Sequence, residues 1–201
     1  WRLLTETSIR KKINSSICWI KKNEIALKKM SQICGLKDLK SKEMNPIRTS
    51  TYWVCLIINY VINKGCKKLY LGLGGSSTHD MGTGIFMARG GGLLDINSLP
   101  ISKGGGGRLE CEKINFVNLN PKIRSCKIIL AVDVDNPLLG KNGAAEIYSP
   151  QKGATPKMVK DLEIGSRKFA ALVEKSTKKK NINIKGGGSA GGTSAGLYGL
   201  V

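Results

Sequence analysis

A glycine-rich turn in the first half of the chain carries residue types that bind anions. Residues 74–80 read GGSSTHD and follow a predicted strand over residues 68–73. Where a strand passes through glycines into a helix, backbone N–H groups can converge on an anion, because glycine allows a close approach. The candidate contacts are Gly74, Gly75, Ser76, Ser77 and Thr78. Asp80 could orient a substrate hydroxyl, hold a cation or cap a helix that begins near Met81, and a cap with a tight turn is an equally good interpretation.

Two further groups of polar residues lie at the ends of predicted elements. A strand over residues 127–134 carries Asp133, and Asp135 follows it before a turn at Asn136-Pro137. Carboxylates at the end of a buried strand usually face a crevice. Later, Gln151, Lys152 and Gly153 precede a Thr155-Pro156 helix start, where a lysine and the helix dipole would act on the same phosphate. A loop lysine in water is the alternative interpretation.

The elements that must position these residues alternate between strands and helices, which predicts an α/β protein. Apolar residues at helical spacing predict a helix around residues 56–61, and a longer helix from Pro156 to the lysines near Lys178. A last strand is predicted over residues 181–184, before the glycine run of residues 186–192. That run contains the G-x-G-x-x-G spacing, which alone is weak support for a dinucleotide site. The first and last residues read as the interior of a protein, so a fragment is expected.

Composition narrows the classes of function. The formal charge is +19, but the lysine doublets have no interleaved aromatic residues, so solvated faces are favoured over a nucleic-acid groove. Six cysteines form no C-x-x-C pair and there is one histidine, so no familiar zinc spacing is present, and buried reduced thiols are expected. We find no leader and no apolar run long enough to predict a membrane segment. The simplest expectation for the compartment is therefore the cytoplasm.

Several stretches together resemble the glycerate kinase family of the bacterial type. LGLGGSSTHD at residues 71–80 is similar to the family segment I-G-I-G-G-S-A-T-N-D. AVDVDNPL at residues 131–138 and SPQKGATP at residues 149–156 are similar to the blocks D-V-x-N-P-L and G-P-Q-K-G-A-T-P, in the same order. The resemblance spans about residues 25–201.

The resemblance implies part of a two-domain α/β fold with its site in the cleft, incomplete at both ends, with residues 1–201 as a single partial region. The implied activity is transfer of the γ-phosphoryl group of ATP to D-glycerate with Mg²⁺, giving 2-phosphoglycerate. Asp80 and Asp133 would be the catalytic candidates, and their order is left open. Asp133 and Asp135 are the Mg²⁺ candidates, and Lys152 would meet phosphate.

The sequence also departs from the family pattern. The opening and late family segments are missing, Trp53 and Cys55 stand at glycine positions, Lys29 replaces a glutamate, His79 an asparagine and Met81 a glycine. A clash is expected at Trp53 if that position approaches another backbone. We therefore expect a truncated or decaying copy that is inactive alone and has an uncovered apolar sheet face. A basic nucleic-acid-binding module and a non-catalytic remnant are the alternatives.

Overall fold

A computed structural model of the protein describes residues 2–201. Its strands are β1 (Arg2–Glu6), β2 (Lys12–Ser16), β3 (Cys18–Ile20), β4 (Ile25–Lys29), β5 (Lys68–Gly72), β6 (Gly92–Leu94), β7 (Lys113–Asn115) and β8 (Lys127–Ala131). Its helices are α1 (Ser31–Cys34), α2 (Val54–Asn63), α3 (Thr83–Ala88), α4 (Ala144–Tyr148), α5 (Pro156–Thr177) and α6 (Ser189–Leu200), with short 3-10 turns between them.

The central sheet has four strands in the order β3-β4-β5-β8. The β4–β5 and β5–β8 pairs are parallel, whereas β3 pairs with β4 antiparallel. Two separate two-stranded antiparallel sheets are formed by β1-β2 and by β6-β7. Parallel strands joined through helices confirm the predicted α/β class. They also bring the residues after β5 and β8 to one edge of the sheet, where open α/β sheets bind ligands.

Separate clusters of apolar residues form the core. The largest packs the inner face of the sheet, including Leu69 and Leu71, against Ile57 and Val61 of α2. A second cluster joins α3, α5 and α6 around Phe86 and Phe169. The predicted helix around residues 56–61 and strand over residues 68–73 are therefore confirmed as α2 and β5. The strand predicted over residues 127–134 is confirmed as β8 but ends at Ala131, so Asp133 follows the strand rather than lying in it. These three elements exist because their apolar residues cover one shared core.

The long second-half helix is confirmed, and the strand predicted after it is wrong. Thr155 caps α5 by accepting a hydrogen bond from the Met158 N–H, and Lys178 closes its C-terminus in a left-handed conformation. Residues 181–184 form turns. The Glu174 carboxylate accepts hydrogen bonds from the N–H groups of Asn181 and Ile182, so these groups do not pair with a strand. Periodicity could not show that a side chain seven residues upstream would bind this backbone.

The outer face of the central sheet is open. Cys18, Leu27, Tyr70 and Ile129 are cross-strand neighbours in one row, and Leu27 and Tyr70 remain 40% and 37% exposed. This row agrees with the expectation of an uncovered apolar sheet face. The described residues contain no helix that could span a bilayer.

Candidate functional site

A cavity of about 240 Å³ lies at the carboxyl ends of β5 and β8 and collects most of the predicted site residues. The predicted residues that line it are Gly74, Gly75, Ser76, Asp133, Gln151 and Lys152. They meet because β5 and β8 are adjacent and parallel, and because residues 150–152 form a 3-10 turn just ahead of α5. The cavity therefore combines a glycine turn, a hydroxyl, a carboxylate and an ammonium group.

Lys152 is the most enclosed of the charged groups in this cavity. Its side chain is 3% exposed, and Nζ donates to the Thr78 carbonyl at 2.7 Å and to Ser76 Oγ at 3.4 Å. Burial lowers the pKa of Lys152 to about 8, and the negative charge of Asp80 partly opposes this. These two neutral acceptors leave one N–H of the ammonium for a ligand. Lys152 is thus tied to the glycine turn and is not a loop lysine in water.

The two aspartates after β8 lie in different surroundings. Asp133 lines the cavity beside Gly74, where an added Cβ would lie 3.8 Å from Asp133 Oδ2. Asp135 pairs with Lys185 at 3.1 Å on the surface, and both side chains are more than three-quarters exposed. The structure therefore brings Asp133 together with Lys152 and leaves Asp135 outside this cavity.

Asp80 is buried inside the protein, although it was a catalytic candidate. Oδ2 accepts hydrogen bonds from Ser50 Oγ, the Thr51 N–H and Thr51 Oγ1 at 2.8–3.2 Å, and Oδ1 accepts one from the Gly82 N–H at 3.2 Å. The residue is 0% exposed. Its carboxylate anchors residues 50–51 to the turn, so the geometry favours structural anchoring over contact with a ligand.

The remaining predicted contacts lie beside the cavity rather than in its wall. Ser77 and Thr78 are fully buried, and the Ser77 N–H and Oγ both donate to the Cys34 carbonyl. Gly153 has a φ of +89°, and an added Cβ there would lie 2.6 Å from the Met44 carbonyl oxygen. These residues shape the loops that carry the lining residues.

Sequence reasoning missed several residues at or behind the site. Tyr148 lines the cavity, and its hydroxyl donates to Asn136 Oδ1 at 2.6 Å. Burial first, and then the charge of Asp133, raises the pKa of Tyr148 and keeps it a neutral donor. Ser189 and Ala190, at the start of α6, complete one wall. Tyr148 directly precedes the recognised block at residues 149–156, and Ser189 and Ala190 lie within the glycine run of residues 186–192, so their positions in the sequence could have suggested them.

The glycine run that precedes and opens α6 packs against protein backbone. An added Cβ on Gly186, Gly188 or Gly191 would lie 2.4–2.8 Å from backbone atoms of Val134, Pro137 or Thr78 and His79. The absence of a side chain at these glycines thus lets other parts of the protein's own backbone pack closely against them. This geometry gives no support to a dinucleotide site.

Arg108 supports the glycine turn from behind. It is fully buried and donates from Nη2 to the His79 carbonyl and from Nη1 to Ser166 Oγ, both at 2.7 Å, and from Nε to the Gly105 carbonyl at 3.2 Å. Burial lowers the pKa of Arg108 to about 10, still well above neutral pH. No sequence signal near the turn identifies this residue, because it lies 29 positions from His79.

We expect Arg108→Met to lower the free energy of unfolding by about 3 kcal/mol, because three buried acceptors lose a charged donor. Arg167→Met is the matched control, since Arg167 is 64% exposed and makes a single i,i+4 ion pair with Glu163. It should cost no more than about 0.5 kcal/mol. Urea unfolding of both variants measures the difference, and equal costs would contradict a supporting role for Arg108.

Two departures from the family pattern have different structural consequences. The clash expected at Trp53 is not found: its φ is −77°, which any residue adopts, and its ring packs edge-on against Tyr52 and on the main core. Met81 has a φ of +51° and is fully buried. A non-glycine residue in this left-handed region costs about 1–2 kcal/mol. Only the second substitution strains the backbone.

Comparisons with known proteins identify the family. A family model described as "Glycerate kinase family" matches residues 2–201. The chain is 40% identical to a glycerate kinase of Halalkalibacterium halodurans over 178 residues, which are 89% of this chain and 47% of that protein. It is 32% identical to the glycerate 2-kinase of Escherichia coli over 190 residues, which are 94% of this chain and 50% of that protein.

A solved structure shows the same fold. The match is to a crystal structure described as "putative glycerate kinase 2 from Salmonella typhimurium LT2", with a TM-score of 0.95 and 30% identity, over all of this chain and 54% of that one. The chain thus spans about half the length of the relatives it matches. With residues 2–201 matched by the family model, the chain belongs to the glycerate kinase family.

Proposed function

We propose that this chain supplies one half of the site of an enzyme that transfers the γ-phosphoryl group of ATP to D-glycerate, giving 2-phosphoglycerate. The observation that carries the proposal is the buried Lys152 ammonium, which is hydrogen-bonded to the glycine turn and lines one cavity with Asp133 and Gln151. The names of the relatives support the substrate, and the name of the Escherichia coli relative supports the position of the product phosphate. The chain alone is expected to be inactive, since about half of such a protein is not represented in it.

The lining residues suit phosphoryl transfer, which depends mainly on positioning and on neutralising charge. Backbone N–H groups of Gly74 and Gly75, with Lys152, would bind phosphate oxygens, and Asp133 would orient the glycerate hydroxyl or hold a cation. Mg²⁺ is usually held by one or two carboxylates together with substrate phosphates, and Asp133 fits that demand. When bound, Mg²⁺ would offset the negative charge of the phosphates. Asp135 fits less well because it pairs with Lys185 outside the cavity.

A hybrid enzyme tests the proposal. In it, this chain replaces the matching region of the Halalkalibacterium halodurans relative, and glycerate-dependent ADP formation is measured for the hybrid, the relative and the chain alone. The hybrid should turn over, with the new phosphate on the 2-hydroxyl by NMR, and the chain alone should not. A folded hybrid without turnover would contradict the proposed function, and a chain alone that turns over at about 10 s⁻¹, an ordinary enzyme rate, would contradict its expected inactivity.

The pKa of Lys152 predicts a pH dependence in the hybrid. Because the pKa in the folded state is about 8, below the ordinary 10.5, the ammonium loses its charge as the pH rises past about 8. The value of kcat/KM for ATP should then fall, although the charge of Asp80 favours the charged form. The destabilising effect of burying the charge is full below pH 8 and is relieved as the pH rises toward 10.5.

The measurement is kcat/KM for ATP between about pH 6 and pH 10. Lys152→Arg is the control, because arginine stays charged throughout this range. If kcat/KM for ATP falls at the same pH in the variant and in the parent hybrid, a group other than Lys152 is responsible.

A further inference from the structure

A second cavity, of about 470 Å³, lies next to the candidate site and has no assigned role. It touches the first cavity at Gly75 and is otherwise formed by β2, the end of β4, and residues 31–38. Its polar lining includes Asn14, Ser15, Ser31 and Gln32, and its charged lining consists of Lys29, Lys37 and Asp38. Asp38 is the one carboxylate in this wall, so cations and neutral donors dominate it.

A buried cation lies directly behind this wall. Lys28 is 4% exposed, and its Nζ donates to Ser15 Oγ, to the Ser16 carbonyl and to Gln32 Oε1. None of these acceptors carries a charge, and none of the ion pairs found among residues 2–201 includes Lys28. Its positive charge is therefore not balanced by a protein carboxylate. Burial lowers the pKa of Lys28 to about 8, so it is still mostly charged at neutral pH.

Lys28 also orients the lining residues. Because Gln32 Oε1 accepts from the ammonium, the Gln32 amide nitrogen is left as a donor on an exposed side chain of the cavity wall. Lys29 and Lys37 in the wall and Lys28 behind it carry three positive charges, and Asp38 carries one negative charge. The net charge around the cavity is therefore positive by two. Ammonium, amide and hydroxyl donors together are the groups that bind phosphate oxygens.

We propose that this cavity binds an anion, and that its ligand is a phosphate group with two negative charges, either free or part of a small phosphorylated molecule. The site is distinct from the Lys152 cavity, because the cations that line it are Lys29 and Lys37, with Lys28 behind its wall. The volume exceeds what a free phosphate fills and lies within the ordinary range for small-molecule pockets. The inference does not depend on the proposed function.

Titration of inorganic phosphate into the purified chain, at constant ionic strength and neutral pH, tests this site. Lys29→Glu should weaken the affinity at least about tenfold, since it replaces an attraction by a repulsion at the cavity wall. Lys37→Glu is a second variant at an exposed residue and should act in the same direction. The control is Lys160→Glu, the same change of charge on an exposed position of α5, which should change the affinity less than about twofold because the charge is screened. Thermal unfolding of each variant verifies that it is folded.

Three results would overturn the proposal. Phosphate could fail to saturate the chain, or Lys29→Glu and Lys160→Glu could weaken binding equally, which would assign the effect to overall charge. Alternatively, Lys152→Met could abolish binding while Lys29→Glu retains it, which would place the anion in the first cavity. Competition by ADP then identifies the source of the phosphate: displacement indicates a nucleotide, and no displacement indicates free phosphate or another ester.

Discussion

Asp80→Ala is expected to lower the free energy of unfolding by about 3–5 kcal/mol. The variant removes a fully buried carboxylate that accepts four hydrogen bonds. It also removes the negative charge that offsets two buried cations, Arg108 and Lys152. Since native proteins are stable by only about 5–15 kcal/mol, this single change would consume much of the stability of the chain.

Glu146→Ala is the matched control, because Glu146 is an exposed carboxylate on α4. Its cost should lie within about 0.5 kcal/mol. Urea unfolding measured by circular dichroism compares the two variants. If Asp80→Ala lowers the free energy of unfolding no more than the control does, the anchoring role is wrong. Asp80 would then again be a candidate for the catalytic role that the sequence suggests.

Gly196→Ala should destabilise the protein by about 3 kcal/mol, as overpacking in a dense core does. A Cβ at this position would lie 1.7 Å from the Met81 carbonyl oxygen, so α6 and the turn at Met81 would have to separate. Both elements are part of the support of the first cavity. We therefore expect the variant to distort the site as well as to lose stability.

Gly165→Ala provides the control for this prediction, because it is also a buried glycine inside a helix. The nearest atom to its added Cβ lies 3.5 Å away, which is an ordinary contact. This substitution should be neutral or stabilising by up to about 1 kcal/mol, from the higher helix propensity of alanine. Similar melting temperatures for the two variants would contradict the prediction, because they would show that α6 can move away from Met81 at little cost in stability.

Much of the site could be predicted because its residues follow the ends of adjacent parallel strands. Gly74 and Asp133 come directly after β5 and β8, and this topology brings them together. The start of α5 was marked by Thr155-Pro156, and Lys152 precedes it closely. Local patterns were therefore sufficient for these positions.

Other features depend on contacts between distant residues. Asp80 is only a few residues from Ser76, yet the chain turns inward between them, and its partners at residues 50–51 are 29 or 30 positions away. The apolar residues of 25–34 follow no single helical or strand period, because β4 and α1 follow each other within this segment. Arg108 reaches the turn from a segment with no recognisable motif. Local sequence also does not rank Asp80 against Asp133 as the catalytic candidate, because the ranking depends on which of the two carboxylates is buried by distant parts of the chain.

The distribution of the cysteines has a practical consequence. Cys18 is exposed on β3, in the row of the open sheet face, and the other five thiols are buried. Burial raises the pKa of Cys34 and Cys126 to about 12 and of Cys55 and Cys111 to about 11, which keeps these thiols unreactive. A maleimide dye should thus attach to Cys18 alone in the native protein, without mutagenesis. Its emission would then report directly on whatever comes to cover the outer face of the sheet.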